Sequence, residues 1–441
     1  MLSGSLSYSL VNPSGEEVGG GEAQARLEEE SLSVLPEFGE GLFISLRDIL
    51  EVSEENYRIS LVLSSTERLN LFNLGYLYED FLRALIKLRN NLLLKDMLSQ
   101  EYLVKSDVEA DFLYIDEENK KRQEGRCDLR LYETSVVVMP EKGELVRIRL
   151  SDLSEISKQE CSLVLNTEFR ENLVLSKMGP EFDPFTKALS EANNELQLKV
   201  QSSLKELLPE VDPLIIRKVA RFMKEGRSAK RSDIESVSPE LWIKLEKRLE
   251  VIGIKEEYDF LKSLSQQEKI CIGLKRGLMD DLTGEYIWFL IPIYSTNPER
   301  QGNAVAMEAS SEEGGGKATY FFRIASRKDY PNYKAIGYLH RDFDSLIKRM
   351  NRCMIDINFR REPIYLPDER LEEPQYLKYR FAVLKLPSLQ ILRSLFIGRV
   401  FHISPEQWRK EVTDLLTFNV STLDDSARWK KGVYESEAEQ K

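Results

Sequence analysis

The chain has 441 residues, 42% of them hydrophobic and 31% charged, and a formal net charge of −12. That length exceeds what one ordinary core serves, so several domains are expected, and the balance is globular rather than disordered. The charge opposes nonspecific attraction to nucleic acid and anionic membrane, and the presence of only two histidines excludes a His-rich metal centre.

His340 and His402 read as structural or surface residues, which also argues against Ser-His or Cys-His catalysis. No apolar run reaches the roughly 20 residues that span a bilayer. The first residues carry neither a basic region nor a continuous apolar stretch, so no secretion signal is expected. Cys127, Cys161, Cys271 and Cys353 form no CxxC pair and read as small buried hydrophobes in a reducing compartment. A cytoplasmic protein is the resulting expectation.

In chain order, the first feature is a duplication. Residues Arg26 to Lys95 recur as Arg130 to Lys199, an offset of 104 positions. Arg26-Leu27 matches Arg130-Leu131, Pro36 matches Pro140, and Gly39-Glu40 matches Gly143-Glu144. Ile44, Leu46 and Asp48 match Ile148, Leu150 and Asp152, and after a two-residue loop difference Ser60–Leu63 is identical to Ser162–Leu165. Further on, Phe81, Ala84 and Leu85 match Phe185, Ala188 and Leu189. About thirty of seventy positions agree, where unrelated chains share roughly four or five.

Each copy begins with short alternating segments such as Leu131–Val138 and Leu145–Leu150, separated by turns such as Pro140–Gly143. Such alternation predicts strands with one face in a core. A single helix follows, with Phe81, Leu85, Leu88 and Leu92 on one face in the first copy. Phe185, Leu189, Ala192 and Leu196 take those places in the second.

About seven strands closed by one C-terminal helix in roughly 100 residues resembles the pleckstrin-homology-like superfamily, including its GRAM branch. The residues that carry the resemblance are the hairpin Leu129–Pro140, the segments Ile44–Ile49 and Ile148–Leu153, and the terminal Phe-x-x-Ala-Leu helix. It covers residues 1–205 as two tandem copies. Another small β-barrel or half-open sandwich is the rival fold.

Downstream, Asp212 caps a predicted helix over Pro213–Met223 with Gly226 as its stop, and Ser238-Pro239 starts another. A third is expected over Glu256–Leu264. Strands return at Tyr286–Tyr294, Ala304–Glu308 and Thr319–Ile324, with a flexible hairpin loop at Ser310–Gly316. A helix begins at Asp342, and its composition raises a third, diverged unit of the same kind, against shared helix composition as the plainer explanation. Helices are expected over Leu386–Phe396 and Pro405–Phe418. The fold class is therefore α+β: repeat one over 1–103, repeat two over 104–205, a helical segment over 206–266, an α+β domain over 267–421, and a polar, disordered tail over 422–441.

For sites, the resemblance implies phosphate binding by basic residues between the first two strands. Lys120, Lys121, Arg122 and Arg126 occupy that place in the second copy and could surround a lipid phosphate. The equivalent loop of the first copy carries Glu16 and Glu17, and Glu117, Glu118 and Glu124 dilute the second, so a solvated loop is the favoured reading. A second cluster, Arg217, Lys218, Arg221, Lys224, Arg227, Lys230 and Arg231, lacks a recognition-helix pattern and reads as a solvated or interdomain face. The glycine run Gly314–Gly316 with Lys317 lacks a phosphate-loop frame. The adjacent pairs Asp280-Asp281 and Asp424-Asp425 diverge in any regular element. No catalytic residue, metal site or cofactor emerges. The expected function is a non-enzymatic adaptor with a protein partner; alternatives are a peripheral protein reading anionic lipid through the basic loop, or an enzyme with its site in the C-terminal domain. Nucleic acid is not an expected partner, and the sequence does not set the oligomeric state.

Overall fold

Alternating apolar residues fold the first copy into seven strands: β1 (Leu2–Val11), β2 (Glu17–Leu27), β3 (Ser31–Pro36), β4 (Leu42–Ser45), β5 (Ile49–Glu55), β6 (Arg58–Leu63) and β7 (Arg68–Phe72). Helix α1 (Tyr78–Leu98) follows. The second copy repeats the order as β8 (Leu103–Ile115), β9 (Arg122–Tyr132), β10 (Ser135–Pro140), β11 (Val146–Arg149), β12 (Leu153–Gln159), β13 (Ser162–Thr167), β14 (Asn172–Ser176) and α2 (Phe182–Leu207). This computed structural model describes residues 2–98, 101–117, 119, 122–276, 285–297, 302–311, 318–333, 335–422 and 424–429. Lys120, Lys121, the Asp280-Asp281 pair, the Gly314–Gly316 run with Lys317, and residues 430–441 lie outside the described residues. The chain divides into two units, Met1–Leu196 and Gln197–Lys441.

In the first unit both seven-stranded antiparallel sheets share one topology, β4-β3-β2-β1-β7-β6-β5 and β11-β10-β9-β8-β14-β13-β12. The first strand of each pairs with the seventh, Tyr8 opposite Leu71 and Phe112 opposite Leu175. Leu61 pairs with Leu69 and Leu165 with Leu173, so the 104-residue offset runs unbroken through β6 and β13. The match of Ser60–Leu63 to Ser162–Leu165 is therefore two residues out of register, and the inferred loop difference is absent. A shift of two keeps each side chain on its own face, so alternation could not reject it.

The expected helix stripes pack as read: Phe81, Leu85 and Leu92 are buried, as are Phe185, Leu189 and Ala192. Each fully buried leucine or phenylalanine contributes about 2 kcal/mol from transfer out of water. The two helices differ on their other side. Leu82, Ile86, Asn90, Leu93 and Leu94 are also buried on α1. At those positions α2 has half-buried Thr186 and exposed Ser190, Asn194, Gln197 and Leu198.

The second unit contains α3 (Pro213–Val219), β15 (Ala229–Lys230), α4 (Arg231–Val237), α5 (Pro239–Ile252) and α6 (Lys255–Ser263). Then come β16 (Cys271–Arg276), β17 (Glu285–Ile293), β18 (Ala304–Ser311), β19 (Ala318–Arg323) and α7 (Ile336–Asp356). Short helices α8 (Glu362–Tyr365), α9 (Leu377–Lys385) and α10 (Pro387–Leu395) precede β20 (Phe396–Phe401) and α11 (Pro405–Ser421). Asp212 and Ser238 cap their helices, accepting from the amides of Leu214 and Leu241. Helix α3 stops at Val219, short of Gly226.

Its six-stranded sheet runs β15-β16-β17-β18-β19-β20, each strand antiparallel to its neighbours. Ile287, Phe289 and Ile291 of β17 join a core with Trp242, Leu245 and Trp408 from α5 and α11. Trp288 and Leu290 point the other way, into a core with Phe343, Met350 and Leu389 from α7 and α10. Both faces are covered, which explains the nearly continuous apolar run of β17. The sequential strand order and two-sided cover distinguish this unit from the duplicated sheets, so among the described residues the third copy raised by its helix composition is not present. His340 lies inside α7, which begins at Ile336 rather than Asp342.

Two further expectations change. Cys127, Cys271 and Cys353 are buried, but Cys161 is exposed in the turn after β12. Residues 424–429, assigned to a disordered tail, dock on the second unit. The Trp429 amide donates to Ile397 O at 2.6 Å, and Arg323 and Arg327 donate to the carbonyls of Asp425 and Asp424. Among the described residues no helix is long and apolar enough to cross a membrane.

Candidate functional site

The two described members of the basic loop lie on β9. Side chains two apart share a strand face, so Arg122, Glu124 and Arg126 project together, and all three are exposed. Arg122 Nη2 lies 2.9 Å from Glu124. Arg126 is opposite Asp111, whose carboxylate lies 2.5 Å from Lys177. Acidic neighbours thus interrupt the described part of this cluster; Lys120 and Lys121 lie outside it. The second basic cluster is divided. Arg217, Lys218 and Arg221 are exposed, whereas Lys230 pairs with Asp344 at 2.8 Å and Arg231 with Glu235 at 2.7 Å.

The duplicated turn marks a different surface. Pro140-Glu141-Lys142-Gly143-Glu144 joins β10 to β11 and repeats Pro36-Glu37-Phe38-Gly39-Glu40 between β3 and β4. Gly143 has φ +106° and Gly39 φ +109°, a region that side-chain-bearing residues avoid, so both turns require glycine.

In the second copy α1 lies against this turn. Asn90 Nδ2 donates to Gly143 O at 3.2 Å, and Asn90 Oδ1 accepts from the Leu145 amide at 3.3 Å. Arg89 is 2% exposed; it donates to the carbonyls of Ile49 and Leu50 and reaches Glu144 at 3.4 Å. Burial pushes its guanidinium pKa below the ordinary arginine value, against the pull of Glu144. Leu94 packs with Tyr132, Val137, Met139 and Leu145. Lys142 lies 2.9 Å from Glu54, and Arg147 lies 2.5 Å from Glu101.

The first copy leaves the same edge open. Phe38 stands where the second copy has Lys142 and is 90% exposed; Phe43 stands for Arg147 and is 76% exposed. Leu35 is half-buried, and its side chain and the Phe43 ring both border Gly41. Glu22, Glu37 and Glu40 are exposed around this group, and the Glu37 amide donates to Glu22 O at 3.4 Å. The result is a small apolar patch with an acidic rim on a sheet edge. The signal was in the sequence: the turn is duplicated, but its apolar and charged positions are exchanged.

The second unit holds a buried polar cluster that the sequence reading missed. Glu308 on β18 is fully buried within a strand of small and apolar residues. Its Oε2 accepts from Thr319 Oγ1 at 2.8 Å and lies 3.3 Å from His402 Nε2. Glu257 of α6 lies 3.5 Å from His402 Nδ1, and Trp408 Nε1 donates to Thr319 Oγ1 at 3.3 Å. Burial works against the His402 imidazolium, but the hydrogen bond and charge of Glu308, with the charge of Glu257, outweigh it and raise its pKa. Burial raises the Glu257 pKa. This arrangement ties α6, β18, β19 and the segment after β20 together and can retain a proton on His402. His340 instead meets Tyr294 Oη at 2.5 Å, and burial lowers its pKa. Among the described residues no group of three or more His, Cys, Asp or Glu is arranged to hold a metal ion.

No family model matches the chain, and no curated protein matches it. Among solved structures it is similar to the C-terminal domain of an unknown protein from Leishmania infantum, at 14% identity and a TM-score of 0.18. That similarity covers 23% of this chain and 95% of the other. At such a score it carries no weight for fold or function.

Proposed function

We propose that the chain is a non-enzymatic cytoplasmic adaptor whose first unit consists of two tandem pleckstrin-homology-like modules. The seven-strand order and closing helix of each copy support that kinship, and modules of this kind bind partners along strand edges and loops. The observation that carries the reading is the exchange at one edge. Lys142 and Arg147 are held by glutamates within the first unit, whereas Phe38 and Phe43 at the same positions face solvent. Exposed aromatics on one sheet edge with a polar rim have the composition of a protein-binding surface. The test is capture from cell extract by the full-length chain and by its Phe38→Ser/Phe43→Ser form. A protein retained by the parent and lost by the variant is expected. Recruitment of the parent to phosphoinositide vesicles, with no protein dependent on the two phenylalanines, supports lipid reading instead.

A further inference from the structure

We infer that the β3–β4 edge of the first copy is a docking site for a basic amphipathic helix of a partner protein, seated as α1 is seated on β10–β11. The inference rests on the reading of this edge as a binding surface and names what fills it. The chain supplies the template. The Gly143-Glu144 turn is gripped by an Asn amide, an adjacent arginine and a leucine one helical turn further on, namely Asn90, Arg89 and Leu94. Gly39-Glu40 reproduces that turn with the same glycine conformation and with Glu40 exposed. Of the residues beneath Leu94, Leu35 keeps the apolar place of Met139, while Glu28, Ser33 and Gly41 replace Tyr132, Val137 and Leu145, so the turn and Leu35 carry the docking.

Charge decides the character of the helix. Between Tyr78 and Lys95, α1 carries four basic residues (Arg83, Lys87, Arg89, Lys95) against two acidic ones (Glu79, Asp80), a net +2. The rim of Glu22, Glu37 and Glu40, on a chain of net charge −12, selects the same sign. One position must differ from α1. Lys142 meets Glu79 at 3.7 Å, and Phe38 replaces that lysine, so the docking helix presents an apolar side chain there. A second copy of this chain is a poorer occupant. Its α2 keeps Asn194 and Leu198, but Thr186, Ser190 and Gln197 replace the apolar Leu82, Ile86 and Leu93 of α1.

The test uses the full-length chain, in which α1 already occupies the second copy's edge. The probe is a fluorescently labelled peptide of residues 78–95 carrying Glu79→Leu, followed by anisotropy. Saturable one-to-one binding is expected. It should weaken at least tenfold, or about 1.4 kcal/mol, with Glu40→Arg or Phe43→Asp in the chain, or with Asn90→Ala in the peptide. Glu40 and Phe43 are exposed, so these chains should fold, as circular dichroism can verify; Glu40→Gln gives a milder second variant. Absent binding, or binding indifferent to all these changes, overturns the inference. So does self-association in sedimentation velocity that Phe43→Asp removes, because the edge would then hold another copy. A protein captured from extract regardless of Glu40→Arg and Phe43→Asp preserves the adaptor reading while overturning helix docking. Peptide binding without any captured protein does the reverse.

Discussion

Asn90 and Gly143 join the two copies of the duplication: the side-chain amide donates to the glycine carbonyl at 3.2 Å. The same asparagine accepts from the Leu145 amide at 3.3 Å, so one side chain satisfies both backbone groups of a turn. Asn90→Ala should destabilise the first unit by about 0.5–1.5 kcal/mol, since a buried side chain loses two hydrogen bonds to a turn that is itself exposed at Gly143 and half-buried at Leu145. Asn194→Ala, at the equivalent exposed position of α2, should change stability by less than about 0.5 kcal/mol. Urea unfolding of the full chain checks this; equal losses at the two sites contradict it.

Arg89 is the more costly residue to remove. Its guanidinium donates to two carbonyls of the first copy and reaches Glu144 of the second. Arg89→Ala should cost about 2–4 kcal/mol through the unsatisfied groups it leaves, discounted because Glu144 is partly exposed. The measured urea midpoint should fall further than for Asn90→Ala.

His402 makes the second unit's stability depend on pH. Its folded pKa is raised above the unfolded value, which is about 6.5. The stabilisation is therefore fully present below that pH and is lost as pH rises through the folded value. Glu257, also raised, acts with the same sign in the lower carboxylate range. Thermal melts of the parent should show stability falling as pH rises past about 6.5, and His402→Gln should flatten that slope. An unchanged slope in the variant contradicts the assignment.

The basic loop gives a sharp negative test. Replacing Lys120, Lys121, Arg122 and Arg126 with glutamate should leave protein capture unchanged, because Arg122 and Arg126 stand among acidic neighbours. Flotation with phosphoinositide vesicles decides it: a parent that floats and a variant that does not restores the lipid reading.

Much of the duplicated unit was legible in the sequence because strand alternation and the stripe headed by Phe81 and Phe185 are local patterns. The two-residue error at Ser60–Leu63 has a local cause too, since a period-2 pattern is blind to even shifts. The contact of α1 with the second copy was not recognised, although Leu82, Ile86, Leu93 and Leu94 make α1 apolar on two sides where α2 is polar on one. A second apolar face shows that something covers it, but not what. Glu308 and His402 are 94 residues apart in sequence and meet only through the sheet, so no spacing rule could pair them. The docked residues 424–429 were obscured by their polar composition, because their bonds are largely to backbone.

One turn occurs twice in this chain, gripped by a helix in the second copy and open in the first. Residue-resolved amide hydrogen exchange tests it most directly. The Leu145 amide, bonded to Asn90, should exchange slowly, whereas the equivalent Gly41 amide should exchange quickly and slow when the α1-derived peptide is added. Equal protection of Gly41 and Leu145 in the free chain, or a Gly41 amide indifferent to bound peptide, contradicts the claim.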